Sequence, residues 1–400
     1  MPLRIAIVVP SLPTGGGVSA VARFLHRGIN QMEGFEADYV SVAVRWDDPT
    51  SVRVTDPATW TQGVRVQRGT DEGHPFRHVG TFLTEFEFQR YRPRPTLTKI
   101  LREYDLVQVV AGHPAWSFLT RSVDRPVALQ VATLAHVERA TQNRQRQGLT
   151  GLWHRLMTRV ATRMGDWALQ TVDTVFVENE WMQTHVQNVA PTTNAVFAPP
   201  GVDTETFQPS DTPYTDREYI LSVGRFADPR KNVHLLFEMY ARLKERLGAD
   251  IPDLVLAGRT EPPTDAWDLA EHRGIAGSIS FFEDVSLDRL VDLYREAKLF
   301  VLSSDEEGLG LVILEAMASG VPVVSTDCGG PATVVQDGET GRLVPTDDAD
   351  RLADAAATLL RDPSRLQSLS ANSRERAVSE FSEEATIRRF RKEYERLCHN

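Results

Sequence analysis

The sequence predicts two α/β domains, each built on a parallel sheet with helices on both faces, and three observations lead there. The chain has 400 residues, 41% of them hydrophobic, and single cores stop growing near about 250–300 residues, so more than one core is expected. Short β-rich apolar runs alternate with apolar-periodic stretches in both halves, the pattern of parallel sheets covered by helices. Between the halves "NVAPTTNAVFAPPGVDTETFQPSDTP", Asn188 to Pro213, carries five prolines and few periodic apolar positions, which marks a boundary. The first domain is placed at 1–198 and the second begins at 199.

In the first half "RIAIVVP", Arg4 to Pro10, reads as a strand ending in a loop, and Val18 to Ile29 as the helix after it. Further strands are expected at Ala37–Val44, Leu106–Val110, Val127–Ala132 and Thr174–Val177. In the second half the order is "YILSVGRF" as strand, Asn232–Leu247 as helix, and "DLVLAG" and "SISFF" as strands. Helix Leu287–Ala297, strand "LFVLSS", helix Leu311–Ser319 and strand "VPVVST" complete it. Ligands of such sheets sit beyond the carboxyl ends of the strands, so two domains facing each other define a cleft.

Composition narrows the function. The net charge of −11 argues against general affinity for nucleic acid, which depends on neutralising phosphates. The sequence has no run of about 18 apolar residues and no signal-peptide pattern at its start, so a cytoplasmic protein is expected. Its two cysteines, Cys328 and Cys398, form neither a ligand cluster nor a disulfide framework and read as reduced thiols.

Two stretches of the second half carry chemistry. "SVGRFADPRKN" sets Arg225 at a strand end and Lys231 near the next helix start, where cations and free helix N–H groups suit a diphosphate. Ordinary solvated charges are the plain alternative. "SSDEEGLGLVILEAMASG", Ser303 to Gly320, ends a strand, puts Glu307 in a loop, and follows it with Gly308, Leu309 and Gly310, where backbone can approach a ligand. Glu315 falls in the first turns of the next helix. Carboxylates suit the vicinal hydroxyls of a sugar or ribose, and glycine N–H groups suit oxyanions. Acids favoured by a helix N-terminus are the simpler reading, and that reading leaves the glycines idle. Asp305 and Glu306 receive no role.

Taken in order, "PPGVDTETFQP", "SVGRFADPRKN", "LVLAGR", "EEGLGLVILEAMASGVPVVST" and "GGPATVVQDGETGRLV" resemble the retaining glycosyltransferases of family 4, over about residues 199 to 346. The resemblance implies the GT-B fold, two facing Rossmann-like domains with the donor cleft between them. It implies that Glu307 meets hydroxyls of the transferred sugar and Glu315 the ribose. Arg225 and Lys231 would hold the diphosphate, and Gly308, Leu309 and Gly310 would present backbone to sugar and phosphates. The expected reaction moves a hexose from a UDP- or GDP-linked donor to a hydroxyl acceptor. The expected cofactor is none. The two cations and a helix N-terminus would stabilise the leaving group, with front-face attack and no side-chain base. The only D-x-D, Asp348 to Asp350 in "PTDDADRLADAA", reads as a helix cap rather than a metal site.

In the first half "SLPTGGGVSAV" follows the first strand without the G-x-G-x-x-G spacing of dinucleotide sites. In similar glycosyltransferases a glycine loop here lines the cleft opposite the donor, which makes Gly15, Gly16 and Gly17 candidates. The family often has a donor-sugar histidine right after the strand placed at Val127–Ala132. Here His136 falls about four residues later than that pattern, and His113 in "VVAGHPAW" is the second candidate.

"RQRQGLTGLWHRLMTRVATRMGDW", spanning Arg144–Trp167, sets Leu152, Leu156, Arg159 and Arg163 at helical spacing. Trp153, Met157, Val160, Met164 and Trp167 widen the apolar stripe, and Arg144, Arg146, Arg155 and Arg159 keep the segment basic. Such a helix can lie on an anionic membrane and suit a lipid-linked acceptor. In similar enzymes its counterpart is more often a packed core helix. The last segment, from about residue 382 to 400, resembles the final GT-B helix that returns to the first domain. A nucleotide-sugar binding protein without activity, a sugar-nucleotide epimerase and a glycosyl phosphorylase are the competing readings, the last lacking a recognisable pyridoxal lysine.

Overall fold

The computed structural model describes residues 2–10, 12, 17–140, 143, 146–210, 217–248 and 251–399. The chain divides into two compact units, Met1–Pro200 with Thr386–Asn400, and Gly201–Ala385.

Among the described residues, unit 1 holds an eight-stranded sheet. Its strands are β1 (Leu3–Pro10), β2 (Phe35–Val42), β3 (Val66–Asp71), β4 (His74–Val79), β5 (Leu106–Ala111), β6 (Val127–Val131), β7 (Thr174–Val177) and β8 (Asn194–Phe197). The spatial order is β3-β4-β2-β1-β5-β6-β7-β8. Every neighbouring pair is parallel except β3 and β4. Ile5, Ala6, Ile7, Val8 and Val9 are all buried, as a central strand covered on both faces requires. Helices α1 (Gly17–Gln31), α2 (Glu87–Tyr91) and α3 (Gly148–Leu169) are used below.

Two parts of this sheet are absent from the sequence expectation. The β3–β4 hairpin reads "VQRGTDEGHPFRHV", whose charges, Gly69 and Pro75 hide its alternation, and such residues belong on a sheet edge. Its turn uses positive φ at Glu72 (48°) and Gly73 (83°), the tight geometry that two-residue hairpins favour. Strand β8 lies inside the proline-rich stretch read as a boundary, too short to show a period.

Unit 2 has six parallel strands among its described residues. They are β9 (Tyr219–Arg225), β10 (Asp253–Thr260), β11 (Ile279–Glu283), β12 (Ala297–Leu302), β13 (Val323–Thr326) and β14 (Gly341–Val344). The order β11-β10-β9-β12-β13-β14 puts β9 beside β12, and the sequence runs outward from that pair in both directions. This is the topological switch point, where the loops beyond two adjacent strands part and leave a crevice. The helices are α4 (Val233–Leu247), α5 (Leu287–Glu296), α6 (Leu311–Ala318), α7 (Ala349–Leu360) and α8 (Pro363–Phe381). One buried cluster packs α4 and α7 on the sheet, with Leu236, Phe237, Leu352 and Ala356 fully buried. A second packs α5 and α6, with Leu293, Ile313 and Met317 fully buried.

The first and last segments of unit 2 pair with each other. Val202 N–H donates to the Phe381 carbonyl at 2.8 Å, and Glu383 N–H to the Val202 carbonyl at 3.0 Å. The final helix, α9 (Glu383–His399), belongs to unit 1 from Thr386 onward. There Phe390 and Tyr394 are fully buried, with the Phe390 ring tilted against Phe176 at 4.2 Å between centroids and the Tyr394 hydroxyl donating to Gln108 at 2.8 Å.

Candidate functional site

Sequence-chosen residues meet at the switch point of unit 2. Strand β9 ends at Arg225, and Asp228 then caps a single 3-10 turn, Pro229–Lys231, by accepting from Arg230 N–H. Asn232 takes a left-handed conformation (φ 45°) and caps α4 through its side chain, which accepts from Leu235 N–H at 3.1 Å. Asparagine tolerates that backbone because its short polar side chain bonds locally. The turn thereby fixes Lys231 beyond the end of β9.

The segment after β12 is stitched to this turn. Ser303 Oγ donates to the carbonyls of Lys231 and Asn232 at 3.0 and 3.1 Å. Asp305 N–H donates to the Arg230 carbonyl at 2.8 Å, and the Asp305 carboxylate accepts from the Asn232 amide at 2.7 Å. Asp305, which had no role in the sequence reading, therefore locks one loop to the other.

Between the loops Lys231 Nζ meets Glu307 Oε1 at 2.5 Å, with side chains 16% and 13% exposed. The same oxygen accepts from Ser304 Oγ at 2.8 Å, and the Ser304 carbonyl accepts from Thr326 Oγ1 at 2.6 Å. Gly330 N–H donates to the Glu307 carbonyl at 3.0 Å. A Cβ on Gly330 would lie 2.6 Å from Leu309 N and 2.7 Å from the Glu307 carbonyl oxygen, so only glycine fits. Leu309 is buried and anchors the loop from below. Gly310, at φ 89°, opens α6, whose first turn has no side-chain cap. Its backbone N–H groups and dipole suit an anion. Cys328 lies close by as a neutral thiol, pushed up to about 12 by burial and by the charge of Glu307.

Arg225 is half exposed and pairs with Asp228 at 3.3 Å. Burial raises the Asp228 carboxyl, but Arg230 and Arg225 outweigh it and hold the group below its ordinary value. Gly258 is required here as well, because a Cβ on it would sit 1.8 Å from the Gly224 carbonyl oxygen.

Glu315 projects from the second turn of α6 to a different neighbour, Tyr294 of α5, whose hydroxyl donates to Oε2 at 2.7 Å. Burial lifts this carboxyl to about 7, against the smaller opposing pull of the Tyr294 hydrogen bond. Thus Lys231, Glu307 and the start of α6 come together, Arg225 stands at the strand end on a partner of its own, and Glu315 is held by Tyr294. Sequence reading missed Ser304 and Tyr294 as partners of the two glutamates: Ser304 is three residues from Glu307 but in a loop with no fixed period, and Tyr294 is 21 residues from Glu315 on another helix. The Gly330 contact was foreshadowed only by the paired glycines "GG".

In the D-x-D stretch Asp348 caps α7, accepting from Arg351 N–H at 2.9 Å, as read from sequence. Asp350 pairs with Arg242 and Arg246. No group of three or more potential metal ligands occurs among the described residues.

In unit 1 Gly17 is the exposed first residue of α1, while Gly15 and Gly16 lie outside the described residues. His136 is exposed on the short helix Ala135–Glu138. His113 is buried directly beyond β5, edge-on to Tyr91 at 5.6 Å, and burial lowers its pKa. Among the described residues its Nδ1 has no hydrogen-bond partner, as is true of Glu138 Oε2 and Arg139 Nη1. The segment read as 144–167 is also divided by the structure, with Arg144 outside the described residues. Met157 and Met164 face the core, while Leu152, Trp153, Leu156 and Trp167 are exposed, so the apolar stripe is two faces rather than one.

Two doubly wound α/β units, with a cation–carboxylate pair at the switch point of the second, define the GT-B class of fold. Residues 203–376 match the family described as Glycosyl transferases group 1. It is 37% identical over 194 residues to D-inositol 3-phosphate glycosyltransferase 2 of Catenulispora acidiphila, covering 45% of each chain. It is 26% identical over 401 residues, 94% of each chain, to the GDP-mannose-dependent alpha-(1-6)-phosphatidylinositol monomannoside mannosyltransferase of Mycobacterium tuberculosis. The match thus spans less than half the length of the first relative and nearly all of the second. Among solved structures, sucrose-phosphate synthase from Thermosynechococcus elongatus superposes with a TM-score of 0.76 at 22% identity, over 99% of both chains. Anabaena HepE in complex with UDP-glucose gives 0.71 at 16%, over 99% of this chain and all of that one.

Proposed function

We propose that this protein is a retaining glycosyltransferase that moves a hexose from a UDP- or GDP-linked sugar to a hydroxyl acceptor. The observation that carries the reading is the Lys231–Glu307 pair, held by Ser304 at the switch point of unit 2 and followed by the uncapped first turn of α6. Positive charge and a helix N-terminus suited to a diphosphate, beside a carboxylate suited to sugar hydroxyls, support this reading. Two similar proteins support the donor class: HepE is found in complex with UDP-glucose, and the mycobacterial relative is GDP-mannose-dependent.

In this reading Lys231 and Arg225 bind the diphosphate, Glu307 accepts hydrogen bonds from hydroxyls of the sugar, and Glu315 accepts them from the ribose. Gly308, Leu309 and Gly310 offer backbone to the sugar and phosphates. The C1–O bond to the diphosphate breaks with both electrons leaving on oxygen, where the cations and the helix N-terminus stabilise the growing charge. The acceptor oxygen attacks C1 from the same face, and its proton passes to the departing phosphate oxygen. No metal ion, side-chain nucleophile or side-chain base takes part. In unit 1, Gly15 to Gly17 and either His136 or His113 are the candidates for contact with the sugar. The acceptor is a glycan, a lipid or a small molecule.

The test is release of nucleoside diphosphate from UDP- and GDP-sugars, with the anomeric configuration of the product read by NMR. The wild type should release diphosphate, and Glu307→Ala should lose roughly 100- to 1,000-fold in rate, as when one preorganised transition-state contact is removed. No release from the wild type above a protein-free control leaves a nucleotide-sugar binding protein without activity, and unchanged release in Glu307→Ala across all donors removes Glu307 from the reaction. Conversion of the donor into another sugar nucleotide without diphosphate release would identify an epimerase.

A further inference from the structure

Helix α3 carries apolar residues on two neighbouring faces, one buried and one exposed. Met157, Ala161, Met164 and Ala168 are buried, and Gly165 lies close against the backbone of Ala115. On the other face Leu149 is 84% exposed, Leu152 59%, Trp153 52% and Leu156 45%. Their spacing of 3, 1 and 3 residues is that of one helical stripe, and Trp167 extends it at 58% exposure. Single exposed apolar residues are ordinary, but several on one face of one helix mark a surface that is covered in use.

Arg155, Arg159 and Arg163 flank this stripe, all exposed, and none forms an ion pair among the described residues. The chain as a whole is acidic, at −11, so this cationic apolar strip stands against the general charge.

We propose that unit 1 docks on an anionic membrane surface through this face of α3. Leucine and tryptophan side chains enter the boundary between headgroups and acyl chains, and the arginines beside them meet lipid phosphates. Charge complementarity selects this occupant. A second copy joined by two-fold pairing of the same face would bring like-charged arginine rows together. No helix among the described residues is long and apolar enough to cross a membrane, so the contact is peripheral. The inference does not depend on the transferase reading.

Flotation of the full chain with phosphatidylcholine vesicles, with and without phosphatidylglycerol, tests it. The wild type should float with the anionic vesicles at low salt and dissociate as salt rises. Changing Arg155, Arg159 and Arg163 together to Gln should weaken anionic binding about a hundredfold and erase the lipid preference. Leu152→Ser with Leu156→Ser should weaken it about tenfold or more. All five residues are exposed, so both variants should keep the wild-type melting temperature, and that control separates lost docking from lost folding. Absence of flotation at low salt, or equal flotation by wild type and variants, overturns the proposal. So does a dimer in sedimentation velocity that the leucine pair dissociates, since it gives the face to a second copy.

Discussion

Glu307 and Glu315 are eight positions apart and serve in opposite electrostatic settings. Glu307 has its counter-charge in contact, and Lys231 and Ser304 orient it. Glu315 has only a phenol beside it, and burial lifts it from 4.5 to about 7. The folded state therefore keeps a proton that the unfolded chain gives up at lower pH. Its stabilising contribution is complete below about pH 4.5, falls as pH rises through about 7 and is then gone, a loss of at most about 3 kcal/mol. Glu178 in unit 1, also lifted by burial to about 7 despite the Gln130 hydrogen bond, adds a decline of the same sign. Glu315→Gln removes one of the two contributions. Denaturant unfolding followed from about pH 5 to about pH 8 should show a shallower fall in the variant, and equal slopes would mean that the Glu315 carboxyl carries no such burden. If Glu315 accepts from a ribose hydroxyl, nucleotide affinity should rise through the same window as the carboxylate forms.

At the scale of elements, glycine positions decide whether the loops can reach each other. Gly330 sits under the Glu307–Leu309 backbone with no room for a Cβ, and its N–H holds the Glu307 carbonyl. Gly330→Ala should lift that loop, separate Glu307 from Lys231, and cost about 1–3 kcal/mol, the usual range for overpacking. Thermal unfolding measures the cost. Diphosphate release should fall in the same variant, and a loss of stability with full activity would show that the loop position is not what positions Glu307. The sequence made much of this architecture legible. The strands β1, β5, β6, β7, β9, β10 and β12 are mostly apolar or β-branched runs, and "EEGLGLVILEAMASG" announced a loop entering a helix. What stayed hidden was what does not repeat: the charged edge hairpin β3–β4, the four-residue strand β8 among prolines, and the side-chain ties Asn232–Asp305 and Tyr294–Glu315. Periodicity reports a residue's face, whereas these ties depend on which strands are neighbours, and that is set by the whole sheet.

For the whole molecule, the chain passes into unit 2 after Pro200 and returns to unit 1 at Thr386. Ligand bound by unit 2 alone should therefore stabilise a part of about 185 residues, taken as 385 − 200. A ligand at a hundredfold excess over its Kd adds about 2.7 kcal/mol by mass action, or roughly 5–10 °C in the melting temperature of a unit this size. UDP, GDP and ADP, each with and without a hexose, should then divide into one base that shifts the transition and others that do not. In the proposed reading the two glutamates meet different halves of the donor, so variants can test them apart. Glu315→Gln should shrink the shift given by the bare diphosphate and by its sugar alike, because both carry the ribose. Glu307→Ala should leave the bare diphosphate's shift nearly intact and remove the increment that the hexose adds. A uniform loss in both variants would mean that the loops fold around the ligand as one unit, and the residue-by-residue assignment of sugar and ribose would then have to be given up. No shift with any nucleotide would remove the donor site itself.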